Sequence, residues 1–248
     1  MFDGTIKLDK IEVPRTLLGT SPFMGLKSAH FGHRSMLYQL DFQDQPENVL
    51  KIIRRSYELG VRGIQLIPNP TTVEALKLAR DEGCNMDIIG TVRPGKENED
   101  IKLLSEFEAS VMVIQDYKGD WDSLKDELQA VKDENAVAGL ATTMPFRTTS
   151  KLLESSILDL FDVYMIPLNK MGYMMDCEGY SPEDRAELQE MIHKLDKTII
   201  ANKTLAAGIL RPDEAFDYIK TVDYVDMIAV GIASEVEAEE TFKILASK

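Results

Sequence analysis

The sequence predicts an α/β protein, a single (β/α)₈ TIM barrel preceded by an N-terminal β-hairpin. Eight aliphatic segments are typical of buried strands, and each is followed by a segment in which apolar residues recur at helical spacing. Strands that alternate with helices form a parallel sheet. Eight such units in 248 residues match the usual length of this barrel, about 250 residues. No Pro/Gly/Ser-rich linker interrupts the chain, so residues 1–248 are expected to form one domain.

The predicted strands are short and lie at regular intervals. They span residues 15–21, 61–67, 85–92, 110–115, 136–142, 160–166, 197–203 and 225–232. Ahead of the first strand, the segments TIKL and IEVP flank Asp9-Lys10, which predicts a β-hairpin suited to closing the N-terminal mouth of the barrel. A long loop is expected after the first strand. Each intervening helix carries one apolar stripe, which favours packing against the sheet.

The charge of the chain argues against binding to nucleic acid. It has 42 acidic and 28 basic residues and a net charge of −14, and such a field repels phosphate backbones. The first residues contain no apolar run typical of a signal peptide, and no later stretch is long enough to span a membrane. Cys84 and Cys177 provide neither a disulfide framework nor a metal-binding spacing. We therefore expect a cytoplasmic protein with a small-molecule substrate, anionic or phosphorylated substrates included, and the sequence leaves its oligomeric state open.

The candidate catalytic residues lie where predicted strands end, because (β/α)₈ enzymes bind substrates there. Arg93 follows the third strand, Gln115 and Asp116 end the fourth, and Lys203 ends the seventh. Arg93 is suited to binding a carboxylate or phosphate and Asp116 to acting as a base. A buried Lys203 is suited to forming a Schiff base or stabilising negative charge. The structural alternative is that Lys203 extends to solvent or pairs with a carboxylate.

Polar residues on the strands provide candidates for substrate binding. Gln65 and Gln115 interrupt apolar strands, which favours amides that face a pocket over amides that face the helices. Asn169 follows the sixth strand, and Asn202 precedes Lys203 at the end of the seventh. Adjacent strand residues take opposite faces, so the sequence does not decide whether Asn202 or Lys203 faces the barrel interior.

The loop after the first strand adds further candidates for substrate binding. His30, His33 and Arg34 lie in the segment AHFGHR, where they are placed to cover the mouth of the barrel. A metal site is not expected. Histidine ligands in barrels usually come from strand ends, and the remaining histidine, His193, lies on a predicted helix.

The turns after the last two strands have features of phosphate-binding turns. LAAGILRP (205–212) places Gly208, and VGIASEVEAEE (230–240) places Gly231 and Ser234, shortly before a helix. Barrels often bind phosphate at this point through backbone N–H groups and a helix N-terminus. Glu235 and Glu237 at the start of the last helix would repel such a phosphate, so the sequence leaves phosphate binding open.

Three segments in the second half are more specific than the rest of the chain: DVYMIPLN (162–169), NKTLAAGIL (202–210) and VDMIAVGIASEVEAEETF (225–242). They resemble the sixth strand, the K-P-L-x-x-G-x-L pattern and the terminal segment of the aldo/keto reductase family, whose members are TIM barrels. The opening RTLLGTSPFMG (15–25) and the preceding hairpin also fit. The resemblance implies an oxidoreductase lineage with NADP or NAD as cofactor, while the residues themselves identify no cofactor.

The catalytic residues of that family are not retained. Its reductases use an Asp and a Tyr after strand 2, a Lys on strand 3 and a His on strand 4. This chain has Gln65 near the Asp position, no lysine in IIGTVRP and Gln115 where the His would fall. Thr142-Thr143 replaces the Ser-Asn pair that holds nicotinamide in the family, and Met165 replaces a glutamine. The candidate cofactor-binding residues are accordingly Thr142, Thr143, Gly208, Gly231 and Ser234.

Three functions are consistent with these observations. The first is an enzyme of small-molecule metabolism with a rebuilt active site, which would be a lyase or aldolase if Lys203 is reactive. The second is an NAD(P)-dependent oxidoreductase with a different proton donor, such as Tyr117, Tyr173 or His30. The third is a non-catalytic barrel that binds a metabolite or another protein. We favour the first, because polar strand ends are present although the family's catalytic residues are absent.

Overall fold

The computed structural model describes residues 2–27, 31–115 and 121–248. The strands in these ranges, numbered β1 to β10 in chain order, span Thr5–Leu8, Ile11–Pro14, Thr16–Gly19, Gly63–Leu66, Asp87–Val92, Val111–Gln115, Val137–Ala141, Val163–Pro167, Thr198–Asn202 and Met227–Gly231. Strands β3 to β10 form a closed parallel barrel in sequence order, with β10 paired to β3. The predicted (β/α)₈ barrel is confirmed, and β3 to β10 correspond to the eight predicted strands.

The helices lie between the barrel strands and after the last one. Those in the described ranges, numbered α1 to α9, span Arg34–Phe42, Pro46–Glu58, Pro70–Asp81, Glu97–Glu106, Trp121–Asp133, Pro145–Leu153, Pro182–Leu195, Pro212–Ile219 and Glu235–Ser247. Proline at the first position starts several of them, as expected for a residue that lacks an N–H and has a fixed φ. None of the helices described is both long and apolar enough to cross a membrane.

The barrel interior and the layer between strands and helices form two separate apolar cores. Alternate strand residues point inward and fill the barrel as a packed core, as is typical of this fold. The inner core includes Leu17, Val111, Val113, Val163, Met165, Ile200 and Met227. The other face of each strand packs against the helices, and there the buried residues include Ile64, Ile88, Ile114, Tyr164 and Ile228.

The predicted N-terminal hairpin is confirmed and lies at the N-terminal end of the barrel. β1 and β2 pair with Leu8 opposite Ile11, and Asp9 in the turn has a φ of 50°. Leu8 and Val13 are buried within the inner core of the barrel. The hairpin therefore closes the end opposite to the carboxyl ends of the strands.

The loop expected after the first barrel strand is partly helical, and this is a correction to the sequence analysis. Ser21–Lys27 forms 3₁₀ turns, and α1 follows at Arg34–Phe42. The helix is held by aromatic packing, since the Phe42 ring lies 5.0 Å from the Phe23 ring at a steep angle. Exposed apolar residues on its outer side obscure the amphipathic pattern by which a sequence reveals a helix.

Candidate active site

A cavity of about 760 Å³ opens at the carboxyl ends of the barrel strands. Residues from all eight barrel strands, β3 to β10, and from the turns that follow the strands line it, and α1 adds Arg34 and Tyr38. Its floor is apolar where Ala141, Met165 and Ala229 meet the inner core. Its walls carry amide, hydroxyl and charged side chains. This is the position and composition of a small-molecule site in a barrel enzyme.

Lys203 lies in the wall of this cavity, directly after β9. The chain leaves the strand at this residue with a φ of 54°, in the left-handed region that a side chain with a Cβ seldom adopts. Because of this turn, Asn202 at the end of β9 and Lys203 after it both line the cavity, although strand alternation would place them on opposite faces.

Burial lowers the pKa of Lys203 from 10.5 to about 8. No carboxylate in the described part of the chain pairs with its ammonium group, so no Coulombic attraction opposes the loss of hydration. With this pKa, about a tenth of the amine is neutral at pH 7, some hundreds of times more than for an ordinary lysine. Lys203 therefore has the protonation behaviour that a nucleophilic lysine requires.

The residues on either side of Lys203 carry buried polar atoms without partners. Asn202 Oδ1 and Thr204 Oγ1 have no hydrogen-bond partner among the described residues, and both side chains belong to the cavity wall. Thr204 is 1% exposed. Buried polar groups in native proteins are nearly always hydrogen-bonded, so two such atoms beside one lysine need an explanation.

The opposite wall carries neutral amides and hydroxyls. Gln65 Nε2 donates to Thr91 Oγ1 at 2.6 Å, and both residues are buried in the wall of the cavity. Gln115, at the end of β6, lines the same wall, as does Thr143 after β7. The strand positions that the sequence analysis compared with the Asp and His of the reductases thus present uncharged groups.

Arg93 lines the cavity but is already paired. Its Nε and Nη2 donate to the two carboxylate oxygens of Asp100, at 2.8 and 2.6 Å, and its backbone N–H donates to Asp100 Oδ2. The carboxylate of Asp100 is buried, and the pair raises the pKa of Arg93 mainly through this hydrogen bonding. The charge of Arg93 is thus largely neutralised by the protein itself, which leaves little of it for a substrate anion.

Arg34 reaches from α1 to the turn after Lys203. It packs so closely against Gly208 that a Cβ there would collide with Arg34 Nη1, and Nη1 also points to Ala207 O at 3.5 Å. Tyr38, one turn further along α1, also lines the cavity. Burial and the nearby Glu237 raise the pKa of Tyr38, while a hydrogen bond with Arg34 partly offsets them. α1 therefore covers the cavity and contacts the turn that carries Lys203.

Other predicted site residues lie outside the lining. Asn169 is buried behind the wall, where its Nδ2 donates to Tyr173 O at 2.9 Å and to Lys203 O at 3.3 Å. Its Oδ1 accepts from the backbone N–H of Tyr173 at 2.8 Å. Asn169 thus holds the backbone of Lys203 instead of facing the cavity. His33 is exposed at the start of α1, and His30 and Asp116 lie outside the described residues.

The candidate cofactor residues are divided between the cavity and the packing behind it. Thr142, Thr143, Gly208 and Gly231 line the cavity. The hydroxyl of Thr142 is already bonded to that of Thr148 at 2.8 Å and accepts from Met144 N at 3.0 Å. Ser234 caps α9 by accepting from Glu237 N at 3.1 Å.

The N-terminus of α9 does not fit the phosphate that an NADP or NAD cofactor would place there. Glu237 Oε2 accepts from Ala233 N at 2.8 Å, just before the N-cap Ser234, so a carboxylate of the chain itself lies beside the place that the anion would take. Glu240 also lines the cavity nearby and adds to the negative potential. The acidic start of this helix would repel a phosphate, and Glu237 and Ser234 already accept from two N–H groups at this point.

Thr91, Thr204 and Tyr38 are among the wall residues that were not predicted as site residues from the sequence. Thr91 and Thr204 are ordinary strand-end hydroxyls in the sequence, and Tyr38 belongs to a helix that was expected to be a loop. Strand alternation could have indicated Thr91, which lies on the same face of β5 as the inner-core residue Ile89. Nothing in the sequence distinguishes Thr204 or Tyr38.

The comparisons with known proteins identify the fold. No family model and no curated protein matches the sequence. The chain is similar to a candidate aldo-keto reductase from Pseudomonas aeruginosa, with a TM-score of 0.66 and 17% identity over 100% of this chain and 97% of that one. It is also similar to an aldo/keto reductase from Brucella melitensis, with a TM-score of 0.63 and 12% identity over 98% and 92% of the two chains.

The N-terminal domain of a candidate aldolase from Bacteroides vulgatus is a further structural neighbour, with a TM-score of 0.56 and 14% identity over 89% of this chain and 74% of that one. At these identities the likeness shows the fold alone. The chain thus has an aldo/keto reductase-like TIM barrel.

Proposed function

We propose that the protein is an enzyme of small-molecule metabolism that binds a carbonyl substrate covalently through Lys203, as lyases of the aldolase type do. The proposal rests on the position of Lys203 in the cavity wall and on its lowered pKa. Lys203 lies at the carboxyl end of a barrel strand, in a cavity wall, with a pKa of about 8 and no carboxylate partner among the described residues. Desolvation of this kind is one of the ways in which enzymes activate a lysine.

The proposed step consumes one amine and one carbonyl group and releases one water. The neutral Nζ of Lys203 attacks the carbonyl carbon, the nitrogen loses a proton and the carbonyl oxygen gains one, which gives a carbinolamine. Loss of the hydroxyl group with the second N–H proton, as water, leaves a C=N bond. Once protonated, that bond withdraws electrons from the neighbouring carbon and allows a bond there to break.

The surrounding side chains support this step. The floor of Ala141, Met165 and Ala229 is apolar, and an apolar surface favours an imine because it offers no hydrogen bonds to the water that would hydrolyse it. Asn169 fixes the backbone of Lys203 from behind. Asp116, which the sequence suggests as a base, lies outside the described residues and stays a prediction.

Retained nicotinamide chemistry has less support. The fold is that of aldo-keto reductases, but Glu237 occupies the N-terminus of α9, and neutral amides stand at the positions that resemble the Asp and His of the family. Measuring the melting temperature of the protein at increasing concentrations of NADPH and NADH tests this alternative. A saturable rise in the melting temperature at micromolar cofactor would favour an oxidoreductase.

Borohydride trapping tests the proposed function. The protein is incubated with propanal, glyceraldehyde, acetone or dihydroxyacetone, reduced with sodium borohydride, digested and analysed by mass spectrometry. We expect the secondary amine to form at Lys203 at least about ten times faster than at an average exposed lysine, because Lys203 has the larger neutral fraction at pH 7.

Two lysine variants provide the controls. Lys203→Met should lose the preferential labelling, whereas Lys27→Met, which removes an exposed lysine from the same cavity wall, should retain it. Circular dichroism of both variants verifies that they are folded. Labelling that is spread over surface lysines in proportion to their exposure would refute the proposal and favour a non-catalytic binding protein.

A further inference from the structure

The unpartnered atoms beside Lys203 form a pair with defined hydrogen-bonding chemistry. Asn202 Oδ1 only accepts hydrogen bonds, whereas the Thr204 hydroxyl both donates and accepts. Both atoms are buried, and both side chains line the cavity. Asn202 Oδ1 needs a donor and the Thr204 hydroxyl can bond either kind of partner, and an alcohol hydroxyl is the simplest group that can serve at both positions.

We propose that Asn202 and Thr204 bind a hydroxyl group of the substrate, and that the carbonyl compound taken by Lys203 is therefore a hydroxylated aldehyde or ketone. This inference rests on the proposed function of Lys203 and specifies its substrate class. A carboxylate would fit the pair less well, because its oxygens only accept hydrogen bonds and would face the oxygen of Asn202. A purely apolar carbonyl compound would leave both atoms unsatisfied.

The remaining groups in the wall agree with this substrate class. Gln65, Thr91, Gln115 and Thr143 present neutral amides and hydroxyls to the same cavity. Of the cations in the lining besides Lys203, Arg93 is held by Asp100 through two side-chain hydrogen bonds and Arg211 pairs with Asp213, while Lys27 and Arg34 are exposed. The buried part of the wall therefore offers neutral donors and acceptors, which are the groups that bind alcohol hydroxyls.

Isosteric removal of the Thr204 hydroxyl tests the inference. Thr204→Val keeps the shape of the side chain and removes an atom that has no partner among the described residues. Its urea midpoint should equal or exceed that of the wild type. Thr149→Val is the matched control, because the buried Thr149 hydroxyl donates to Pro145 O and is bonded to Tyr164 Oη at 3.2 Å. That variant should have a lower midpoint.

The second measurement compares labelling of Lys203 by pairs of compounds with the same carbon skeleton. Glyceraldehyde is compared with propanal and dihydroxyacetone with acetone, each normalised to the labelling of exposed lysines in the same sample. In the wild type we expect the hydroxylated compound to be favoured at Lys203. In Thr204→Val that preference should fall by about tenfold, the effect of one well-formed hydrogen bond to a buried group. Thr149→Val should keep it.

The outcomes separate this inference from the function on which it rests. Labelling of Lys203 without a preference for hydroxylated compounds, or with a preference that Thr204→Val leaves intact, would overturn the inference while the proposed function stands. A Thr204→Val variant as destabilised as Thr149→Val would also overturn it, since the hydroxyl would then have a structural role. Absence of labelling at Lys203 would overturn both.

Discussion

At the scale of single residues, the protonation of Lys203 links the candidate site to stability. Below about pH 8 the folded and unfolded chains both bind the proton, so folding carries the full cost of burying the charge. Between about pH 8 and 10.5 only the unfolded chain still holds it, so this contribution to stability rises with pH. Lys203→Met should therefore raise the free energy of unfolding by about 2 to 3 kcal/mol at pH 7, and by less at pH 9.5.

Urea unfolding at the two pH values measures this effect. Lys170→Met is the control, because Lys170 is exposed and pairs with Glu214 on the surface at 2.6 Å, and the loss of such a pair changes stability by at most about 1 kcal/mol. A Lys203→Met variant whose advantage is the same at pH 7 and pH 9.5 would show that Lys203 is not desolvated in the folded protein.

At the scale of elements, the contact between α1 and the turn after β9 depends on Gly208. Its φ of +80° and the closeness of Arg34 to the place of a Cβ both oppose a larger residue. Gly208→Ala should lower the free energy of unfolding by about 1 kcal/mol for the backbone conformation, and should also displace Arg34. Gly83→Ala is the matched control, since Gly83 has a φ of +85° and no described atom lies within 4 Å of the position that its Cβ would take.

Chemical denaturation of both glycine variants, alone and combined with Arg34→Ala, separates the two contributions. Any excess loss in Gly208→Ala over Gly83→Ala should disappear when Arg34 is absent. An excess that persists in the Arg34→Ala background would mean that Gly208 is required for a reason other than the contact with α1.

At the scale of the whole molecule, the N-terminal hairpin completes the inner core of the barrel. Leu8 is 4% exposed and packs among inner-core residues, so Leu8→Ala should lower the free energy of unfolding by about 2 to 4 kcal/mol. Lys7→Ala, on the exposed side of the same strand, should change it by less than about 0.5 kcal/mol. Thermal and urea unfolding measure both. Equal effects of the two substitutions would show that the hairpin does not seal the barrel.

The period of the apolar residues was enough to predict the barrel, its eight strands and the hairpin. Apolar residues that alternate with polar ones, or that form short continuous runs, indicate strands with buried faces. Eight such strands, each followed by a helix, can bury these faces together in few arrangements. Gln65 and Gln115, which the same period selected, line the cavity. Helix α1 was not predicted, because its exposed residues Met36, Leu37 and Leu40 are apolar. They remove the contrast between an apolar and a polar face that marks an amphipathic helix.

The chemical state of each site residue depended on contacts between residues far apart in the chain. Strand alternation left Lys203 and Asn202 undecided, and the left-handed turn at Lys203 brought both into the wall. Arg93 donates to the carboxylate of Asp100, and the amide of Asn169 donates to the backbone carbonyl of Lys203. Glu237 accepts from the backbone N–H of Ala233 at the start of α9. A sequence states which groups are present, but hydrogen bonding and desolvation are set by neighbours in space, so tertiary structure alone decided which of these groups remain available for a substrate.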